Sequence, residues 1–149
     1  IIVVSSAPQI RYPDCYGIDM SKMGDFVAFE AAISLTLESK DGEALLNSIY
    51  DSAKSNLEKN ESESVNEVKR LFSSLTADAI TERIGKILTP KDISAEVEII
   101  FQGIDGLHTA CPQHKGDWYF TGNYPTCGGN RVANRAFINY MESRNERAY

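Results

Sequence analysis

Two apolar runs with strand character lie far apart in the chain. Residues 1–4 form a continuous β-branched run, which predicts a strand in a sheet that is buried on both faces. Residues 97–101, Val-Glu-Ile-Ile-Phe, are the one other stretch of comparable character, so the chain is not expected to supply a full sheet from its own residues and is interpreted as a fragment of a longer protein. A strand, a helical crossover and a second strand usually pair in parallel. We therefore expect 1–5 to lie parallel to 97–101 or one strand from it.

The residues between these runs have helical periodicity. Apolar positions from Phe26 to Leu37 predict a first helix, and Asp41 is expected to cap a second. Ser64 and Glu67 have the spacing of a capping box, which predicts the start of a third helix. A fourth helix is expected to end at Thr89-Pro90. The later stripes are Leu46, Ile49, Ala53 and Leu57; Val65, Val68, Phe72 and Leu75; and Ile80, Ile84 and Ile87. We expect these helices to pack on one another as a small bundle beside the sheet.

The C-terminal third continues the α/β pattern. After the second strand, Asp105 is expected to cap a short helix that Pro112 breaks. The aromatic-rich stretch 118–126 predicts a segment anchored against the core. A last helix is expected to turn one face inward, formed by Val132, Ala133, Ala136, Phe137, Tyr140 and Met141.

Composition and charge limit the classes of function that the chain can have. The chain has 149 residues, 42% of them hydrophobic, which suits one domain with an ordinary core. A formal net charge of −6 argues against a nucleic-acid partner. No apolar run approaches the roughly 20 residues of a membrane span, and no signal-peptide pattern is present at the N-terminus. Three widely spaced cysteines do not suit a disulfide framework. These features predict a cytoplasmic protein.

One array has the residue types of a metal site. His108, Cys111 and His114 form an H-x2-C-x2-H pattern with close spacing. A closed tetrahedral site needs a fourth ligand, and the remaining thiols, Cys15 and Cys127, lie in other predicted loops. The sequence therefore favours surface histidines and a packed thiol, and predicts no stoichiometric metal.

Candidate catalytic groups are few. Asp14 and Asp19 could act as general acid–base carboxylates or could cap the turns in which they lie, and capping is favoured because aspartate is common in turns. No glycine-rich phosphate loop and no nucleophile elbow is present. Taken alone, the residues indicate an accessory layer of a larger structure.

The segment 5–20, SSAPQIRYPDCYGIDM, changes this interpretation. It resembles the part of amidophosphoribosyltransferases that has the pattern S-A-P-x-I-x-x-P-x-x-Y-G-I-D-M. The matching residues are Ser6, Ala7, Pro8, Ile10, Pro13, Tyr16, Gly17, Ile18, Asp19 and Met20. Residues 93–107 resemble a later strand and helix of the family, and 120–126, FTGNYPT, resembles its F-T-G-x-Y-P-T element. Residues 25–92 match no family element with any confidence.

The resemblance implies an α/β fold for the chain. It would be a mostly helical C-terminal fragment with a small parallel-strand remnant of a phosphoribosyltransferase-type sheet. Residues 1–24 would supply the last strand and a rim loop, 25–92 a helical insertion, and 93–149 a strand, short helix, aromatic loop and C-terminal helix.

The same resemblance implies a ligand-cleft role for the rim loop. Pro13 and Gly17 would shape it, and Tyr16 and Asp19 would face the substrate or a nucleotide. The structural alternative is that Tyr16 packs and that Asp19 caps a helix from about Ser21.

The implied activity belongs to a longer protein, called the parent below. It would transfer ammonia from glutamine to phosphoribosyl pyrophosphate with magnesium, as a homo-oligomer. The nucleophilic cysteine, the glutaminase domain and the acidic sugar-phosphate loop would lie in the remainder of the parent chain, so the fragment alone is expected to be inactive. Many members hold an iron–sulfur cluster through a C-x2-C pair before F-T-G, but 114–119 here reads HKGDWY. No iron–sulfur cluster is therefore expected. The rival hypothesis is a non-enzymatic helical module that binds a partner protein.

Overall fold

The two predicted strands pair in parallel. The computed structural model describes residues 1–17 and 19–149. Strands β1 (Ile2–Ser5) and β2 (Glu98–Phe101) form a two-stranded sheet with Ile2 opposite Glu98 and Ser5 opposite Phe101. The predicted parallel pairing is therefore confirmed. Ile18, one position of the sequence motif, lies outside the described residues.

About half of the chain is helical, which together with the parallel strands gives an α/β fold. Short 3-10 helices cover Met23–Asp25 and Glu61–Glu63. The α-helices are α1 (Val27–Leu37), α2 (Gly42–Glu58), α3 (Lys69–Phe72), α4 (Ala77–Leu88), α5 (Ile104–Ala110), α6 (Trp118–Thr121) and α7 (Cys127–Met141). In the described part of the chain, no helix combines the length and the apolar character needed to cross a membrane.

The helices bury most of their apolar stripes in one continuous core, whereas Val65 and Ile87 of the predicted stripes are 54% and 45% exposed. Helix α2 packs chiefly on α7, and α1 packs on α4. Six residues chosen from the predicted stripes all belong to this core, which confirms the predicted bundle: Leu46, Ile49, Val68, Phe72, Ile80 and Ile84. Helix α7 is an additional member, since Phe137 is fully buried with its ring edge-on to Phe29 at 6.2 Å. Tyr12 and Met23 join the same core, so the segments 1–24, 25–92 and 93–149 all contribute to it.

The first strand is not buried on both faces within this chain, which agrees with the expectation that the chain cannot supply a full sheet from its own residues. Ile2, Val3 and Val4 are 64%, 48% and 70% exposed. β2 occupies one edge of β1, and the described residues contribute no third strand to this sheet. A β-branched run is therefore left in contact with solvent.

The predicted capping box at Ser64 and Glu67 does not form, because asparagine side chains take up the backbone groups of this segment. The Asn56 Oδ1 accepts hydrogen bonds from the Ser64 hydroxyl and the Val65 amide, at 2.9 and 3.1 Å. The Asn134 side chain accepts from the Glu67 amide at 3.0 Å and donates to the Val65 carbonyl at 2.8 Å. These bonds hold the segment in a non-helical path, so the third helix is the short α3.

Other predicted helix ends are partly correct. Helix α4 ends at Leu88 before Thr89-Pro90, as expected. Asp41 occupies the N-cap position of α2, but its side chain makes no capping hydrogen bond. Asp105 lies in the first turn of α5, whose N-cap is Gly103, so the predicted Asp105 cap is wrong.

Candidate ligand cleft at the ends of the strands

The carboxyl ends of both strands open onto a pocket of about 460 Å³. In open parallel sheets, ligands bind at this end of the strands. Ser5 and Phe101 contribute the strand ends to its lining, and Asp19 and Phe26 line it as well. The full lining is Ser5, Ala7, Pro8, Gln9, Ile10, Asp19, Met20, Asp25, Phe26, Val27, Ala28 and Phe101. The loop that carries the sequence motif therefore forms much of the wall.

Gln9 fixes the first half of this loop to helix α4. Its side chain is 4% exposed. The Nε2 donates to the Ala77 carbonyl at 2.8 Å and to the Thr81 hydroxyl at 2.7 Å. The Oε1 accepts from the Arg11 guanidinium at 2.7 Å. A buried amide with its donors and acceptor satisfied holds the wall of the pocket in one conformation.

The aromatic segment anchors the second half of the loop. The Tyr124 hydroxyl donates to the Pro13 carbonyl at 2.7 Å, and the Tyr119 hydroxyl donates to the carboxylate of Asp14 at 2.8 Å. Asp14 also accepts from the Tyr16 amide at 3.1 Å. Burial and the neighbouring Asp14 carboxylate raise the pKa of Tyr119 to about 12, so this hydroxyl remains a donor at neutral pH. The anchoring predicted for 118–126 is thereby explained.

The four residues predicted for the rim occupy different environments. Pro13 is buried, and Tyr16 is 65% exposed with its ring 5.6 Å from that of Trp118. Gly17 has φ +80°, a conformation that side-chain-bearing residues rarely adopt. Asp19 alone among the four lines the pocket.

Asp19 does not cap a helix. Its Oδ1 accepts from the amide of the next residue, Met20, at 2.8 Å. The first turn after it is the 3-10 helix Met23–Asp25, which has no side-chain cap, and α1 begins at Val27. The predicted capping of a helix from about Ser21 is therefore wrong.

Arg11 is a candidate site residue that sequence reasoning missed. Its guanidinium lies 5.3 Å above the Phe72 ring, and burial lowers its pKa. No carboxylate of the described residues lies within ion-pair distance of it. It lines a second pocket, of about 610 Å³, at the end of β2, together with Asp78 and Asp105. A single arginine in a loop has no periodicity or motif that would reveal this in the sequence.

Cys15, the thiol nearest to the cleft in sequence, is a poor candidate nucleophile. Burial, followed by the Asp14 carboxylate, raises the pKa of its thiol. The thiolate is the reactive form, so this environment suppresses reactivity.

The H-x2-C-x2-H array brings its two histidines together but not its cysteine. The His108 and His114 rings stack with centroids 4.4 Å apart, and the His108 Nε2 lies 3.0 Å from the Asp117 Oδ2. Ligand atoms of these three residues lie within 4.8 Å of one another. Cys111 is exposed, so the predicted packed thiol is wrong, and it is not a member of this cluster. Asp117 was not among the predicted ligands.

Comparisons of the chain with protein-family models, curated proteins and solved structures found no match. The functional assignment therefore depends on the motif, the fold and the cleft.

Proposed function

We propose that the chain is the C-terminal part of an amidophosphoribosyltransferase. The parent would release ammonia from glutamine and join it to C1 of phosphoribosyl pyrophosphate, giving 5-phosphoribosylamine and expelling pyrophosphate. One observation carries the proposal. The segment that resembles the family, 5–20, leaves the carboxyl end of a parallel strand and lines a pocket there, where nucleotide and sugar-phosphate ligands bind in open α/β sheets.

The exposed first strand supports the same proposal. Parallel strands are normally covered on both faces, yet three successive β-branched residues of β1 contact solvent. Further strands and helices of the parent would cover them. The acidic sugar-phosphate loop and the nucleophilic cysteine would lie in that remainder, which agrees with the unreactive environment of Cys15.

Asp19 in the cleft and Arg11 in the second pocket would have separate roles. The carboxylate of Asp19 would face the ribose hydroxyls or the magnesium ion, since oxygen ligands suit both. The Arg11 guanidinium would attract the phosphate or pyrophosphate group, because it is partly desolvated and has no carboxylate partner among the described residues.

The protein would act in the cytoplasm, with no iron–sulfur cluster.

The rival function, a helical partner-binding module, has less support. Such a module needs an unpartnered apolar face on its helices. Here the main stripes of α2 and α4 are buried in the common core, and the longest run of exposed apolar residues is on β1.

The test is turnover by the protein expressed at its full natural length. Formation of phosphoribosylamine is measured with phosphoribosyl pyrophosphate, glutamine and magnesium. Asp19→Asn is expected to lower kcat/KM for phosphoribosyl pyrophosphate at least about 10-fold, which is about 1.4 kcal/mol. Arg11→Gln is expected to raise its KM. Asp41→Asn is the matched control, because this exposed carboxylate lies outside the cleft and makes no capping bond.

Two results would count against the proposal in different ways. Absence of phosphoribosylamine formation would contradict the function. Normal turnover by both Asp19→Asn and Arg11→Gln would contradict the roles assigned to these two residues while leaving the activity in place.

A further inference from the structure

Helix α5 and the loop after it lack the apolar burial that holds the other helices. None of the seven residues of α5 is buried, and residues 111–116 are all exposed. Segments with so little burial open readily unless another interaction restrains them. The groups best placed to restrain this one are the polar residues at the end of α5 and just before α6.

These groups are both histidines of the chain and one aspartate. His108 lies in the last turn of α5, and Asp117 precedes α6 directly. The Asp117 carboxylate is oriented by the Thr121 hydroxyl, which donates to its Oδ1 at 3.3 Å, while its Oδ2 faces the His108 Nε2 at 3.0 Å. His114 stacks on His108 with the ring planes 9° apart.

We propose that His108, His114 and Asp117 form a binding site for a zinc-type divalent transition metal. Two imidazoles and one carboxylate are a common three-residue ligand set for zinc, with water in the fourth position. Around a tetrahedral zinc ion with bonds of about 2.0–2.1 Å, neighbouring ligand atoms are about 3.3 Å apart. The His108–Asp117 separation of 3.0 Å is already close to this value. His114 is exposed, so its ring can turn toward the same ion.

Asp117, the third ligand, changes the expectation from the sequence that the chain binds no metal. That expectation rested on a missing ligand in H-x2-C-x2-H, and the structure brings Asp117 to the two histidines. The Gly116 position helps, because a Cβ there would lie 2.9 Å from the Trp118 ring. A glycine therefore lets the loop just before Asp117 pack closely against Trp118.

Such a metal would join α5 to the anchor of the rim loop. Helix α6 begins next to Asp117, and the carbonyl of Tyr119 within it accepts from the Arg11 and Tyr12 amides at 2.8 and 3.1 Å. A bound ion would thus connect the helix that follows β2 with the backbone that supports the cleft. The role is structural and does not require the transferase activity.

The experiment measures zinc bound to the protein at its full natural length after dialysis, by elemental analysis and by titration calorimetry. The wild type is expected to hold one more zinc ion per chain than the His108→Ala/His114→Ala variant. His114→Ala alone is expected to weaken zinc binding at least about 10-fold, and it should leave the fold intact because this side chain is exposed and makes no hydrogen bond in the described structure. Asp117→Asn should have a similar effect, whereas Asp105→Asn, a carboxylate on α5 outside the cluster, should have none.

Cobalt(II) substitution gives an independent measurement. A tetrahedral site with nitrogen and oxygen ligands should give intense d–d absorption without thiolate charge transfer. Equal zinc content in the wild type and the double variant would overturn the proposal. A thiolate charge-transfer band that disappears in Cys111→Ser would overturn the ligand set. Neither result bears on phosphoribosylamine formation, so failure of this site and failure of the proposed function are distinguishable.

Discussion

Asp14 is 4% exposed, and its carboxylate is held by hydrogen bonds from the Tyr119 hydroxyl and the Tyr16 amide. Burying a carboxylate is costly unless such donors compensate for the lost water. In the sequence Asp14 was one of two candidate acid–base residues, with capping as the alternative. The structure favours a local structural role, because this carboxylate orders the turn that leads to the pocket.

Removing the Tyr119 hydroxyl should destabilise this turn. We expect Tyr119→Phe to lower the free energy of unfolding by about 1.5–3 kcal/mol, the usual value for a hydrogen bond to a charged group. Tyr16→Phe is the matched control, and because Tyr16 is 65% exposed its effect should stay below about 0.5 kcal/mol. Denaturant unfolding of both variants checks this, and equal stability of the two would contradict the role of Asp14.

Tyrosine burial also predicts a loss of stability at alkaline pH. The pKa of Tyr119 is raised to about 12, and burial also raises the pKa values of Tyr12 and Tyr124. Above pH 10, tyrosines of the unfolded chain ionise while these remain protonated in the native state. The native state then binds more protons, so the free energy of unfolding should fall as pH rises from about 10 to 12.

The check is denaturant unfolding at successive pH values. Tyr119→Phe should show a smaller decline between pH 10 and 12 than the wild type. A free energy of unfolding that is constant or rising over this interval would contradict the assigned environment of these tyrosines.

The elements with strong apolar periodicity were predictable, and those determined by polar side chains were not. The two strands, helices α1, α2 and α4, and the inward face of α7 follow from spacing alone. The segment around Ser64 has the sequence spacing of a capping box, but the box does not form. Asn56 and Asn134 from other helices bind the backbone of this segment instead. Such tertiary hydrogen bonds cannot be inferred from local sequence, because they depend on which helices become neighbours.

Alanine substitution should have opposite effects on stability at two glycines, one at the end of a helix and one inside a helix. Gly122 ends α6 with φ +71°, and a Cβ there would lie 2.8 Å from both the Asn66 Nδ2 and the Tyr12 ring. Gly122→Ala should therefore destabilise the protein by about 2–4 kcal/mol. Gly85 lies inside α4, where a Cβ would make only an ordinary 3.7 Å contact with the Val97 carbonyl.

Gly85→Ala should thus stabilise the protein by about 0.5–1 kcal/mol, through helix propensity and the reduced freedom of the unfolded chain. Thermal unfolding of both variants measures the difference. Stabilisation by Gly122→Ala would contradict the described conformation at that turn.

For the molecule as a whole, the site was harder to predict than the fold. Residues of the motif line the pocket, but Arg11 and Asp117 have no signal in the sequence, since their contacts with Phe72 and His108 depend on the fold. The β-branched run predicted a strand correctly, and the shortage of further strand segments predicted that the chain would leave it uncovered. Hydropathy indicates what a segment needs as neighbours, and the structure shows which of them the chain supplies.

The exposed strand should make the isolated 149-residue chain self-associate, because apolar strand edges pair readily. Val4→Lys adds a charge at a position that is 70% exposed, and should reduce self-association. Ile87→Lys, on the exposed face of α4, should not. Sedimentation measures both. In the full-length protein, the proposed function predicts that other parts of the parent cover Val4. Val4→Lys should therefore lower the stability of the full-length protein more than Ile87→Lys does.

The central claim is that this chain is one part of an enzyme whose catalytic groups lie elsewhere in the same polypeptide. Its most direct test compares phosphoribosylamine formation by the full-length protein and by the 149-residue chain, each saturated with phosphoribosyl pyrophosphate, magnesium and either glutamine or ammonia. We expect turnover by the full-length protein and none by the chain alone, because the phosphate-binding loop and the glutamine-activating cysteine are absent from its sequence. Turnover by the isolated chain, or none by the full-length protein, would contradict the account.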